Sequence, residues 1–188
     1  NSDLQPDLVW IKERSSTSAH KLLDSTRGVG LALGSNTTSA DESFAFLSSF
    51  DSDGFTIGTS DGSTNASGDT YVAWQWKANG GTRTTNTESG NNPAGGYQAN
   101  TTAGFSIVDY TGTGAAGTMA HGLGAVPTCM IVKNRSESVD WGVYHQEMSS
   151  AGNDSYLELN TTDAAATAGT VWNDTTPTSS VFTIGSNT

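Results

Sequence analysis

Apolar residues in this chain come in short runs of four to seven positions, separated by turn sequences such as Asp53–Gly54, Asp61–Gly62 and Asn79–Gly80. Such runs bounded by Gly, Asn and Asp read as β-strands. In Thr70 to Trp76 the side chains of Val72, Trp74 and Trp76 fall on one face, and Phe105 to Tyr110 has the same period of two. Thr161 to Thr170 is Ala-rich and can form a helical turn, but it carries no apolar stripe and meets Gly169 near its end. The pattern predicts an all-β protein built as tandem β-sandwich domains of the jelly-roll or concanavalin-like kind.

The pattern also repeats. Pro6–Asp–Leu–Val–Trp–Ile–Lys12–Glu–Arg14 matches Pro127–Thr–Cys–Met–Ile–Val–Lys133–Asn–Arg135, an apolar strand with Pro at one end and Lys-x-Arg at the other. Asn36–Thr–Thr–Ser–Ala40 matches Asn160–Thr–Thr–Asp–Ala164, and Phe55–Thr–Ile–Gly58 matches Phe182–Thr–Ile–Gly185. The order is kept while the offset grows from 121 to 127 residues, as loop insertions would make it. The expected organisation is a first sandwich over 1–78, a polar linker or hairpin over 79–103, and a second sandwich over 104–188. That second copy ends before any counterpart of Thr70–Trp76, so it is expected to lack its last strand and to need an oligomer or a longer chain.

Composition fits this reading. Hydrophobic residues make up 34% and charged residues only 14%, and Gly, Ser, Thr and Asn fill the difference, which favours strands and turns over helices. Five Trp, five Tyr and six Phe separate the chain from a disordered one. A formal charge of −11 with eight scattered basic residues argues against a nucleic-acid partner, because phosphate neutralisation needs clustered Lys and Arg. No apolar stretch approaches membrane-spanning length, so no membrane partner is expected. The one cysteine, Cys129, lies in the apolar run Cys129–Val132 and reads as a small buried hydrophobe, consistent with assembly in a reducing cytoplasm.

Candidate chemistry is sparse. The glutamates never alternate along one strand as a carboxylate pair would require, no Gly-x-Ser-x-Gly turn occurs, and no catalytic residue, cofactor site or metal site is assigned. Asp51–Ser–Asp53–Gly54 has the opening spacing of a calcium loop without its later acidic ligand, and reads as an Asx-stabilised turn. His20, His121 and His145 lack partners at metal-ligand spacing; His121 reads as a turn residue and His145 as half-buried packing. Trp74 and Trp76 are expected to pack inward. Trp10, Trp141, Trp172 and Tyr144 are the candidates for stacking on a carbohydrate or a protein partner.

Longer phrases carry a resemblance. Pro6 to Lys12, Ser67–Gly–Asp–Thr–Tyr–Val–Ala–Trp74, Ala99–Asn–Thr–Thr–Ala–Gly–Phe–Ser–Ile–Val108, His121–Gly–Leu–Gly124, Val132–Lys–Asn–Arg135 and Trp141–Gly–Val–Tyr–His145 resemble an uncharacterised repeat domain. That domain recurs in structural and tail-fibre proteins of marine tailed phages, including cyanophages. The resemblance implies a non-enzymatic virion component with a lectin-like sandwich, assembled in the host cytoplasm, whose partners are further copies of itself and other virion proteins. Two other classes compete with it: a carbohydrate-binding module that attaches to host-surface glycan, and a bacterial cell-surface or filament protein.

Overall fold

The computed structural model describes residues 3–45, 47–58, 62–87, 89–148 and 154–186; the turn expected at Asp61 lies outside them. The chain is nearly all-β, about 40% strand and 2% helix, in several small antiparallel sheets. It divides into two compact units, Asn1–Gly81 with Asn134–Asp140, and Thr82–Lys133 with Trp141–Thr188.

In the first unit β1 (Leu8–Glu13) lies between β2 (Lys21–Asp24) and β7 (Tyr71–Trp76). β3 (Leu31–Ala32) meets β2 at the Leu22–Leu33 bridge and pairs with β4 (Glu42–Ser43). β5 (Leu47–Asp51) and β6 (Gly54–Ile57) form a hairpin. The apolar pattern explains the core. Val9, Ile11, Leu23, Ala32, Phe44 and Leu47 are buried together, with Phe50, Phe55, Ile57 and Tyr71 packed against them. Because β1 is apolar at successive positions, its other face also carries large side chains, Leu8 and Trp10, which remain half-buried.

Polar groups also fix this unit. Asp7 is fully buried, and its carboxylate accepts hydrogen bonds from the backbone N–H of Ala78 (2.7 Å), Gly80 (2.9 Å) and Gly81 (2.7 Å) and from Ser25 Oγ (2.6 Å). It therefore latches the turn that follows β7 to the start of β1. Arg27 bridges Asp24 and Asp41, Asp41 also binds Arg135 Nε at 2.6 Å, and Arg27 donates to the Leu22 carbonyl at 2.9 Å. Arg135 belongs to the 134–140 segment, whose membership of the first unit goes with this ion pair.

In the second unit β8 (Thr84–Asn86), β9 (Gly95–Asn100) and β10 (Phe105–Tyr110) form one sheet. The stretch read as a linker or hairpin thus carries two paired strands. β11 (Gly117–Ala120) pairs with β16 (Val181–Ile184), and β12 (Cys129–Val132), β13 (Gly142–His145), β14 (Ser155–Glu158) and β15 (Ala166–Thr167) follow one another in a four-stranded sheet. The helical turn α1 (Gly169–Trp172) starts later than the Ala-rich run that suggested it. Met119, Phe182 and Ile184 form a core with Val108, Tyr110 and Met130. His121 is more than a turn residue: it is buried, its Nδ1 accepts from the Leu123 N–H (3.2 Å), and its Nε2 then carries the proton and donates to the Thr178 carbonyl (3.1 Å).

The two units share a strand order. β1-β2-β3-β4 and β12-β13-β14-β15 are both antiparallel meanders, begun by the matched sequences at Pro6 and Pro127. The matched Asn residues play one part in both. Asn36 Oδ1 accepts from the N–H of His20, just before β2, and Asn160 Oδ1 accepts from the N–H of Trp141, just before β13, each at 2.9 Å. The third match diverges, since Phe55–Ile57 pairs with β5 whereas Phe182–Ile184 pairs with β11. The strand at the outer side of β1 is β7; β12 pairs with β13 alone among the described residues. Cys129 is accordingly exposed rather than buried, because it sits at a sheet edge.

Candidate functional site

Antiparallel register decides which aromatic side chains reach the surface. Trp10 lies opposite Leu22 on β2 and opposite Trp74 on β7, so the three side chains share the face of the sheet turned away from Val9 and Ile11. Trp74 is 45% exposed, which corrects the expectation that it packs inward. The Trp10 and Trp74 rings meet edge to face with centroids 5.9 Å apart, and the His20 ring also stands edge to face with Trp10, at 5.7 Å. The Trp10 Nε1–H donates to His20 Nδ1 at 2.8 Å. This bond holds the imidazole neutral, with its proton on Nε2, and fixes the Trp10 indole plane. Partial burial, and next the charge of Lys12, push the His20 pKa below the ordinary histidine value.

The surroundings are polar but engaged. Lys12 Nζ donates to the carbonyls of Glu13 and Ser16, and Ser18 Oγ donates to Glu13 Oε2 at 2.6 Å. Hydrogen bonds from Ser18 and Ser16 hold the Glu13 carboxyl below its usual range. The arrangement offers two indole rings and an imidazole on a sheet face, which suits stacking and apolar contact.

Of the four residues proposed from sequence, the structure brings only Trp10 to this face. Trp141, Tyr144 and Trp172 are 4%, 2% and 1% exposed and belong to the second unit's interior. There Tyr144 and Trp172 meet edge to face at 6.0 Å, and Trp172 Nε1 donates to the Ser155 carbonyl. Buried rings of this kind cannot stack on a ligand. Sequence reasoning left out Trp74 and His20; the alternation shared by Val72, Trp74 and Trp76 groups them without saying which face is inside. At β5–β6, Asp51 lies in a tight hairpin and accepts from Thr56 Oγ1 at 2.7 Å, which with Ser49 keeps its carboxyl acidic. Among the described residues no group of three or more His, Cys, Asp or Glu is placed to hold a metal ion. A shallow depression of about 130 Å³ in the second unit is lined by Tyr156, Glu158, Asp163, Ala164 and Ala166.

A family model described as a domain of unknown function, DUF7483, matches residues 1–188. The chain belongs to this family. No curated protein and no solved structure matches it. The DUF7483 fold seen here is therefore described by its own strand order: a five-strand run β4-β3-β2-β1-β7 in the first unit and β15-β14-β13-β12 in the second.

Proposed function

We propose that this DUF7483 chain is a non-enzymatic virion structural protein, a tail fibre, head fibre or capsid decoration, that acts in assembly and host-surface contact. In this reading its two units are lectin-like sandwiches. The setting rests on the resemblance of the phrases around β1, β7, β10, β12 and β13 to phage structural proteins. The observation that carries a contact role is the exposed Trp74 beside Trp10 on a sheet face: a large aromatic group left in water is a common mark of a binding surface. The test is mass spectrometry of virions purified from cells whose resident phage encodes the chain, with antibody labelling of the particles. The expected result is a stoichiometric particle protein; a chain found only in the particle-free lysate overturns the proposal.

The same face supports a second reading, a carbohydrate-binding attachment module, because an exposed indole ring suits stacking on a sugar ring. A glycan array on the wild type and Trp74→Ala tests it. Binding that is lost in the variant supports it, and an array without signal removes it.

A further inference from the structure

Hydrogen-bond phase along β1 shows which of its backbone groups face which neighbour. The Asp7 carbonyl accepts from the Ser25 N–H at 2.9 Å, so Val9 and Ile11, which keep this phase, bond toward β2, although the Asp7 N–H itself donates to the Trp76 carbonyl at 2.7 Å; the Arg14 N–H donates to the Thr70 carbonyl at 2.7 Å, so Leu8, Trp10 and Lys12 bond toward β7. The same phase recurs in β12. The Gln146 N–H donates to the Thr128 carbonyl at 2.9 Å, so Thr128, Met130 and Val132 bond toward β13. Cys129 and Ile131 then turn their N–H and C=O groups to the opposite edge. In the sequence match these two residues stand where Leu8 and Trp10 stand, opposite Trp76 and Trp74.

Side-chain exposure agrees with an edge prepared for a neighbour. Ile131 is 48% exposed and Val126, just before the strand, 49%, which is uncommon for β-branched residues of this size. Within Cys129–Val132 there is no Lys, Pro or acidic residue of the kind that protects natural edges; Pro127 and Lys133 stand outside the strand at its two ends.

We infer that the outer edge of β12 is a strand-accepting site, and that its occupant is an extended segment of a second polypeptide, patterned like Tyr71–Trp76 and added antiparallel to β12. The template is β7 itself, seated on the matching edge of β1 in the same molecule, with residues 72, 74 and 76 facing Lys12, Trp10 and Leu8. Main-chain bonds to Cys129 and Ile131 supply affinity, and an aromatic or β-branched side chain at every second position covers Ile131, as Trp74 covers Trp10. This inference stands apart from the virion setting.

The probe is a peptide of the Thr70–Trp76 sequence with two added N-terminal lysines, titrated into the intact 188-residue chain while amide exchange is followed by NMR. At peptide about ten times its Kd, exchange at Cys129 and Ile131 slows about tenfold, while Met130 and Val132, already bonded to β13, do not change. Ile131→Pro removes an outward N–H and leaves the β13 ladder intact, so it should weaken binding about tenfold or more. Ile131→Lys, which keeps every backbone bond, places a charge where the peptide's apolar side chains pack and should weaken it similarly. Unchanged exchange at Cys129 and Ile131, equal slowing at all four amides, or undiminished binding by both variants overturns the site. If the chain alone self-associates in sedimentation with those two amides already slow, the occupant is a second copy rather than a separate segment, and the stated occupant is wrong.

Discussion

Replacing Asp7 with Ala should loosen β7 from β1 and destabilise the first unit while leaving the second untouched. Four hydrogen bonds end on this fully buried carboxylate, three of them from backbone N–H groups at residues 78, 80 and 81. A hydrogen bond to a charged group contributes about 1.5–3 kcal/mol, and each donor left unsatisfied costs about 1–3 kcal/mol. The terms do not add, because Gly80 and Gly81 lie in an exposed turn where water can replace the oxygens. Ala78 is buried and has no such recourse. A net loss of about 3–5 kcal/mol follows, a large part of a domain's ordinary 5–15 kcal/mol. Asp7→Asn keeps one acceptor but turns an amide NH₂ toward backbone donors, and should cost about 2–3 kcal/mol. Urea unfolding followed by tryptophan fluorescence measures both, since Trp10, Trp74 and Trp76 report on the first unit and Trp141 and Trp172 on the second. Two transitions, with only one displaced in the variant, are expected. A cost below about 1 kcal/mol for Asp7→Ala would refute the latch.

Three further outcomes follow from polar groups. Arg27→Met leaves Asp24 and Asp41 facing each other without their bridge, and by analogy with broken buried ion pairs should cost about 3–5 kcal/mol in the same urea assay; Arg135, the more exposed partner, should cost about 1 kcal/mol or less as Arg135→Met. His20 has a folded pKa below its unfolded value of 6.5, so its contribution is present above that pH and is lost as the pH falls through the lower folded value. A midpoint for Trp10 fluorescence change below pH 6.5, abolished in His20→Gln, is the expected titration; a midpoint above 6.5 contradicts the Trp10–His20 bond. Burial beside Phe182 pushes the Tyr110 hydroxyl up to about 12, so its stabilising contribution, about 3 kcal/mol, holds below pH 10 and is lost as the pH rises through 12. Melting temperatures of the wild type and Tyr110→Phe across pH 9–12 check this, with the variant showing the smaller decline.

Local side-chain pattern was enough to set the secondary structure class and much of the strand placement. Leu8–Glu13, Tyr71–Trp76 and Phe105–Tyr110 are strands because their periods and bounding turns admit little else, and the segments after Pro6 and Pro127 each start a strand of an antiparallel sheet. Burial was another matter. Along β1 and β12 apolar residues occupy successive positions, so alternation names two faces without saying which one is inside. That was decided by register: opposite Trp10, Trp74 became a surface ring, while Trp141, Tyr144 and Trp172, no different in kind, were enclosed by the second unit. The aromatic site and the edge of β12 are tertiary facts for the same reason. Each depends on which strand lies beside which, and backbone pairing is a contact between residues far apart in the chain, invisible to any local pattern of side chains. The 134–140 segment makes the point most simply, since its Arg135 reaches Asp41 across 94 residues, and only the folded chain brings the two charges to 2.6 Å.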